Sequence, residues 1–180
     1  MIQQYWYTGV AYSVAKWWGI SLGRGCVFHG MPFFRRHPGS TIRIGSECRF
    51  LSLPSSNLIG INKPCMLSTL AEEAEIAIGE SCGFSGTVIG CAERIVLGDN
   101  VRCGANTVIT DTDWHGDDKR AGRNGPVVIG NDVWLGINVT VLKGVTIGDN
   151  TLVGAGSIVN RSLPPNVVAA GNPAKIIRMG

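Results

Sequence analysis

Residues 129–163 read IGNDVW LGINVT VLKGVT IGDNTL VGAGSI VNRSL, and the same kind of residue returns at every sixth place. Ile129, Leu135, Val141, Ile147, Val153 and Val159 hold one register, and Val133, Val139, Val145, Thr151, Ser157 and Leu163 follow them by four. A period of six matches neither the 3.6 of a helix nor the 2 of a strand. It predicts a solenoid in which each hexapeptide is one flat wall and three close a triangular turn, so that like residues stack coil upon coil. The aliphatic at the first place plugs the interior. The glycine after it (Gly130, Gly136, Gly148, Gly154) permits tight backbone at the corner. Period does not fix the hand of the coil, and ordinary parallel crossovers are right-handed.

Upstream, Leu22, Ile44, Ile61, Ile78 and Leu97, each followed by Gly or Asn, mark five coils at spacings of 22, 17, 17 and 19. Prolines 32, 38, 54 and 64 mark bulges or departing loops. Leu97, Cys103 and Ile109 restore the six-residue step. About 14 residues then intervene before Ile129, and Asp111 to Gly125, DTDWHGDDKRAGRNG, is a polar excursion of the kind that carries function on rigid scaffolds. Before the repeats, Trp6, Val10, Val14 and Trp17 recur at helical spacing. Residues 1–20 read as one short aromatic helix, either a cap for the open end of the solenoid or a membrane-surface contact. Residues 21–180 form the second unit, with the loop at about 111–127.

With 180 residues and 44% hydrophobic content, one domain buries on the order of 70% of its unfolded surface. Twenty-five glycines beside five Phe and three Tyr suit a corner every six residues. A net charge of +3 without a long basic run or a nucleic-acid motif argues against nucleic-acid binding. Six cysteines lack paired CxxC spacing; Cys26, Cys48, Cys65 and Cys82 each follow an aliphatic by four and read as small buried residues, in keeping with a reducing cytosol. Met1 to Ile20 lacks the basic start of a secretory signal. His29, His37 and His115 are the only histidines, without the close pair that a three-histidine zinc site needs, so no metal is expected.

The repeat resembles the hexapeptide-repeat family, whose fold is a left-handed parallel β-helix and whose members are mostly acyltransferases. The resemblance implies an all-β, left-handed parallel β-helix with a short N-terminal helix and one extruded loop. Over roughly residues 97–178, the segments IGNDVWLG, VTIGDNTLVGAGSIV and VVAAGNPAKIIR are similar to the C-terminal half of galactoside and maltose O-acetyltransferases. TDTDWH looks like the segment that carries their catalytic histidine. It implies His115 as the general base that takes a proton from the acceptor. Asp111, Asp113, Asp117 and Asp118 are either partners that orient its ring or solvated turn residues. Trp114 is either a wall for a sugar ring or a pin for the loop. Acetyl-CoA is implied as co-substrate, extended between neighbouring prisms of a homotrimer, with Trp134, Ala155, Asn160, Arg161, Lys175 and Arg178 at the matching donor contacts. Lys175 and Arg178 suit its phosphates.

The related sugar enzymes carry an acceptor-positioning Asn on the coil before the loop, where this chain has GFSG; Ser85 is the nearest polar residue. FHGMPFFRRHPGSTIRIG and NLIGINKPCMLST are similar to acetyltransferases of surface-polysaccharide assembly. The resemblance therefore implies transfer of acetyl to a carbohydrate hydroxyl of a capsule, exopolysaccharide or lipopolysaccharide unit, in the cytoplasm or at the inner face of its membrane. Acetylation of an amino sugar and a non-enzymatic scaffold are the alternatives. Arg35, Arg36 and His37 either approach an anionic group or form a solvated loop.

Overall fold

The computed structural model describes residues 2–179. Met1 and Gly180, the outer limits of the expected units 1–20 and 21–180, lie outside the described residues. After the helix Ile2–Trp17, short strands alternate among three sheets that form the walls of a triangular prism, a left-handed parallel β-helix. The first wall runs from Ser21–Leu22 to Thr146–Ile147, the second from Val27–His29 to Leu152–Val153, and the third from Phe33–Arg35 to Ile158–Val159. Pairing within these runs is parallel and in register. Two further strands, Val167–Gly171 and Ala174–Met179, extend the second wall, and the last of them is antiparallel.

All six aliphatics of the repeat and all six residues four places on are buried. Each buried aliphatic side chain contributes about 2 kcal/mol. Thr151 and Ser157 tolerate burial because their hydroxyls donate to the Pro164 and Gly154 carbonyls at 2.9 and 2.6 Å. In the lower coils the second-wall plug is aromatic: Phe28, Phe50 and Phe84 stack with centroids 4.8 and 4.9 Å apart.

The glycine after each plug works differently from expectation. Its φ is not positive at positions 130, 136, 148 and 154; a Cβ there would strike the coil above, at 2.4 Å from the Pro165 nitrogen for Gly148. Glycine at that place is needed for close stacking of coils. The left-handed corner lies two places later, at Asp132, Asn138, Gly144, Asn150 and Gly156, residues that adopt it at little cost.

The expected coil at Ile61 is absent. Ile44 pairs directly with Ile78, so Leu97 opens the fourth coil, not the fifth. Ile61 belongs instead to a second excursion, residues 52–65, that leaves between the second and third walls with Leu58 and Ile59 exposed. One extruded loop thus becomes two.

The helix packs over the first coil through Val14 of the residues at helical spacing, and through Tyr7 and Trp18, but not through Trp6 or Trp17. Ala11 and Ala15 are fully buried, Tyr12 stacks edge-on against Phe28, and its hydroxyl donates to the Gly23 carbonyl at 2.7 Å. Trp6 and Trp17 point outward. Small residues let the helix axis approach the coil, which bulky indoles would prevent.

These contacts separate two kinds of substitution. Gly148→Ala is expected to cost about 2 kcal/mol by overpacking against backbone. Asn138→Gly, at a left-handed corner, should stay within about 0.5 kcal/mol of the parent. Chemical denaturation measures both.

Candidate active site

The loop after Thr110 is closed at its neck, where the Gly125 amide donates to the Asp111 carbonyl at 3.0 Å. Asp111 itself is fully buried. Its carboxylate accepts from the amides of Ala92, Glu93 and Arg94 at 2.7 to 2.8 Å and lies 3.3 Å from the Cys91 sulfur. It braces the turn of the coil below and is not available to orient a histidine. Burial, and then this carboxylate, push the Cys91 thiol up.

Trp114 sits at a left-handed φ of 66° and lays its ring over Gly90, where a Cβ would meet the ring at 2.2 Å. Its indole N–H donates to Thr110 Oγ1 at 3.1 Å. The ring is pinned yet half exposed, so it holds the loop and still offers a face. Asp113 ties the loop to the next coil: its carboxylate accepts from the Lys143 ammonium and from the Gly122 amide. Lys143 first, and the amide second, hold its carboxyl below the usual 3.8. Asp118 pairs with Arg120. Thus three of the four aspartates considered as partners for His115 are engaged elsewhere. His115 itself is exposed at the loop tip, with its carbonyl accepting from the Asp118 amide at 2.9 Å.

Ser85 lies at another corner. It ends a strand of the second wall, its Oγ accepts from Asn57 Nδ2 at 3.1 Å, and its carbonyl accepts from the Asn106 amide. From Asn106 the third wall runs to Asp111, five residues or about 16 Å. Ser85 and His115 therefore stand at opposite edges of one wall. Asn106 also fastens the 52–65 loop through Asn62 and Gly60. Sequence reading missed Asn57, Asn106 and Lys143; the one signal was Pro54 and Pro64 flanking that loop.

The six expected donor contacts divide between the same two edges. Trp134 stands outward on the second wall, 57% exposed, between two depressions. One, of about 430 Å³, is lined by Ile59, Trp134, Ile137, Leu152 and Ala155. The other, of about 520 Å³, holds Arg49, Ser85 and Arg102. Register carries the apolar trough upward: Trp134 lies beside Leu152, Leu152 beside Val168, and Val168 opposite Arg178, with Lys175 opposite Ala170. Three strand steps, about 14 Å, separate Trp134 from the cations. Asn160 and Arg161 instead follow the last third-wall strand, on the edge that carries the histidine loop. Among the described residues, no group of three or more His, Cys, Asp or Glu side chains is placed to hold a metal ion.

Residues 126–161 match the model of the bacterial transferase hexapeptide, six repeats. That stretch carries the hexapeptide repeat of the family. Its similarity to galactoside O-acetyltransferase of Escherichia coli is 46% identity over 89 residues, 47% of this chain and 43% of that protein. The matched stretch thus spans less than half of that relative. A galactoside acetyltransferase solved in complex with coenzyme A is 28% identical, with a TM-score of 0.53, over 88% of this chain and 64% of that one. The fold is shared more widely among hexapeptide proteins. A Vibrio cholerae acetyltransferase complexed with acetyl coenzyme A gives a TM-score of 0.60 at 23% identity, covering 96% and 77% of the two chains. A Bacillus cereus N-acyltransferase gives 0.67 at 19%, covering 93% and 88%.

Asp111→Ala should lower stability by about 3 kcal/mol, because buried amides lose their acceptor; denaturation midpoints test this. Asp113 gives a different response. Its depressed carboxyl pKa means the tether is complete above pH 3.8 and lost as pH falls through the lower folded value. Asp113→Asn should loosen residues 113–124 at neutral pH, read as reduced amide protection, and abolish that acid dependence.

Proposed function

We propose that the protein is an acetyl-CoA-dependent O-acetyltransferase that acts on a sugar hydroxyl in surface-polysaccharide assembly, in the cytoplasm or at the inner face of the membrane. The observation that carries this reading is the division of one prism into two half-sites, a histidine loop on one edge of the third wall and an apolar trough ending in cations at the other. Three prisms around a threefold axis bring the loop of one protomer to the trough of the next, which argues for a homotrimer. The exposed Leu58, Ile59 and Trp134 supply apolar surface for that contact.

The trough fits the donor in kind: an apolar stripe for an extended thiol arm, and Lys175 and Arg178 at its far end for phosphates. When bound, acetyl-CoA supplies the activated acetyl thioester. His115 takes the proton of the acceptor hydroxyl as its oxygen forms the new C–O bond, and passes that proton to the departing sulfur as the C–S bond breaks. Asn57 and Ser85 orient the acceptor, Asn57 bringing an amide where the resemblance leads one to look for Asn. The half-exposed face of Trp114 suits a sugar ring, and backbone amides near the loop steady the developing oxyanion. Cys65 and Cys103 take no part: burial pushes both thiols up, away from thiolate.

A mass-spectrometric transfer assay with nucleotide sugars, oligosaccharides and lipid-linked mimics tests this. His115→Ala should lower turnover on the order of 10²- to 10⁴-fold while coenzyme A still binds. Lys175→Ala with Arg178→Ala should raise KM for acetyl-CoA about tenfold and leave kcat nearly unchanged. Product on an amino sugar alone would move the reading to N-acetylation; absence of coenzyme A binding would move it to a scaffold.

A further inference from the structure

The net charge of +3 hides an uneven division. Five of the sixteen Lys and Arg, and none of the thirteen Asp and Glu, lie in residues 1–46; the other 134 residues carry eleven cations against thirteen acids. The fold gathers this basic segment at one end of the prism, as the helix, the first coil and the first strand of the second. Two of the five cations are used internally. Arg36 donates to the Trp18 and Ser40 carbonyls at 2.6 Å, and Arg43 pairs with Glu75. Lys16, Arg24 and Arg35 are exposed and make no ion pair among the described residues.

The same end is aromatic on its outside. Cap packing uses Tyr7, Ala11, Tyr12, Val14, Ala15 and Trp18; Trp6 and Trp17 meet Tyr7 and Trp18 edge-on, yet with Tyr5 they remain 60, 78 and 72% exposed. Trp6 and Trp17 fall on one line of the outer helix face, eleven residues or about 16 Å apart, with Tyr5 and Lys16 at its flank. Beside the helix end, exposed Phe33 joins Trp18, Met66 and Arg35 around an apolar depression of about 410 Å³.

Indole and phenol rings carry an apolar body and a polar tip, which favours the headgroup level of a bilayer. Acids of the neighbouring coils lie beside the segment, Glu47 against Gly25 and Glu72 against Gly39, but Lys16 and Arg35 next to the rings make no ion pair among the described residues and favour anionic lipid. No helix among the described residues is long and apolar enough to cross a membrane, so such a contact is made by lying on its surface. We propose that the capped end of the prism docks on an anionic lipid bilayer, with the helix in the plane of the interface and Trp6 and Trp17 among the headgroups. This proposal is independent of the chemistry at the other two edges.

The test is cosedimentation of the whole protein with phosphatidylcholine vesicles, with and without phosphatidylglycerol, at low and high salt. The protein should partition onto the anionic vesicles only, and salt should release it. Lys16→Gln and Arg35→Gln should each weaken partition about fivefold, the worth of one cation near such a surface. Trp6→Ala with Trp17→Ala should weaken it at least about tenfold and reduce quenching of tryptophan by brominated lipid. These side chains are exposed, so circular dichroism should stay unchanged; a variant that loses its spectrum is replaced by Trp6→Ser with Trp17→Ser. Failure of the parent protein to bind anionic vesicles at low salt overturns the proposal, as does binding that the tryptophan substitutions leave intact. If light scattering shows two assemblies joined end to end and the same substitutions part them, the face is a self-association surface and the proposal fails.

Discussion

Everything in the prism depends on one spacing, the roughly 4.8 Å rise between hydrogen-bonded strands of successive coils. To keep that rise on three walls at once, each hexapeptide puts a plug inside and turns a corner before the next wall, and where coils approach most closely, as at Gly130, Gly136 and Gly148, the residue beside the plug has no Cβ. Chain can leave such a ladder without breaking rungs only at a corner, and both excursions do so: residues 52–65 and 111–126 each emerge between walls. The interior is consequently closed and chemically quiet, with six free thiols among its buried residues. Reactive groups are confined to corners and outward rows.

That confinement explains why a single prism looks unfinished. The loop bearing His115 is a rigid object, closed at its neck, pinned by Trp114 over Gly90 and tied by Asp113 to Lys143. It nevertheless stands across the third wall from the trough beside Trp134. Flat parallel strands keep these two corners of one prism apart.

Where the sequence repeats without interruption, it was legible almost to the residue: the plugs from Ile129 to Val159, and the buried residues four places on, stand where periodicity put them. The misreadings have physical causes. Ile61 is an aliphatic followed by a small residue and is buried, which satisfies the pattern, yet long-range pairing of Ile44 with Ile78 excludes it from the wall. The helix was read from Trp6, Val10, Val14 and Trp17, whereas its contact centres on the fully buried Ala11 and Ala15, with Val14 beside them and both indoles of that row outside. Asp111 looked like a partner for the neighbouring histidine, but its acceptors' worth lies in three amides some 17 to 19 residues earlier in the chain, a relation no local spacing reveals. Asn57 and Lys143 reach their partners across coils, and for the same reason left no mark in the one-dimensional pattern.

The antiparallel turn-back of Ala174–Met179 onto Val167–Gly171 has a further consequence. A stack of parallel coils has no intrinsic length: each open end presents the same unpaired rungs on which another coil, or another molecule, can grow. At one end the helix covers those rungs; at the other, the reversed strand breaks the parallel template along the second wall. The reversed strand thus interrupts, along that wall, the parallel order on which further coils would stack.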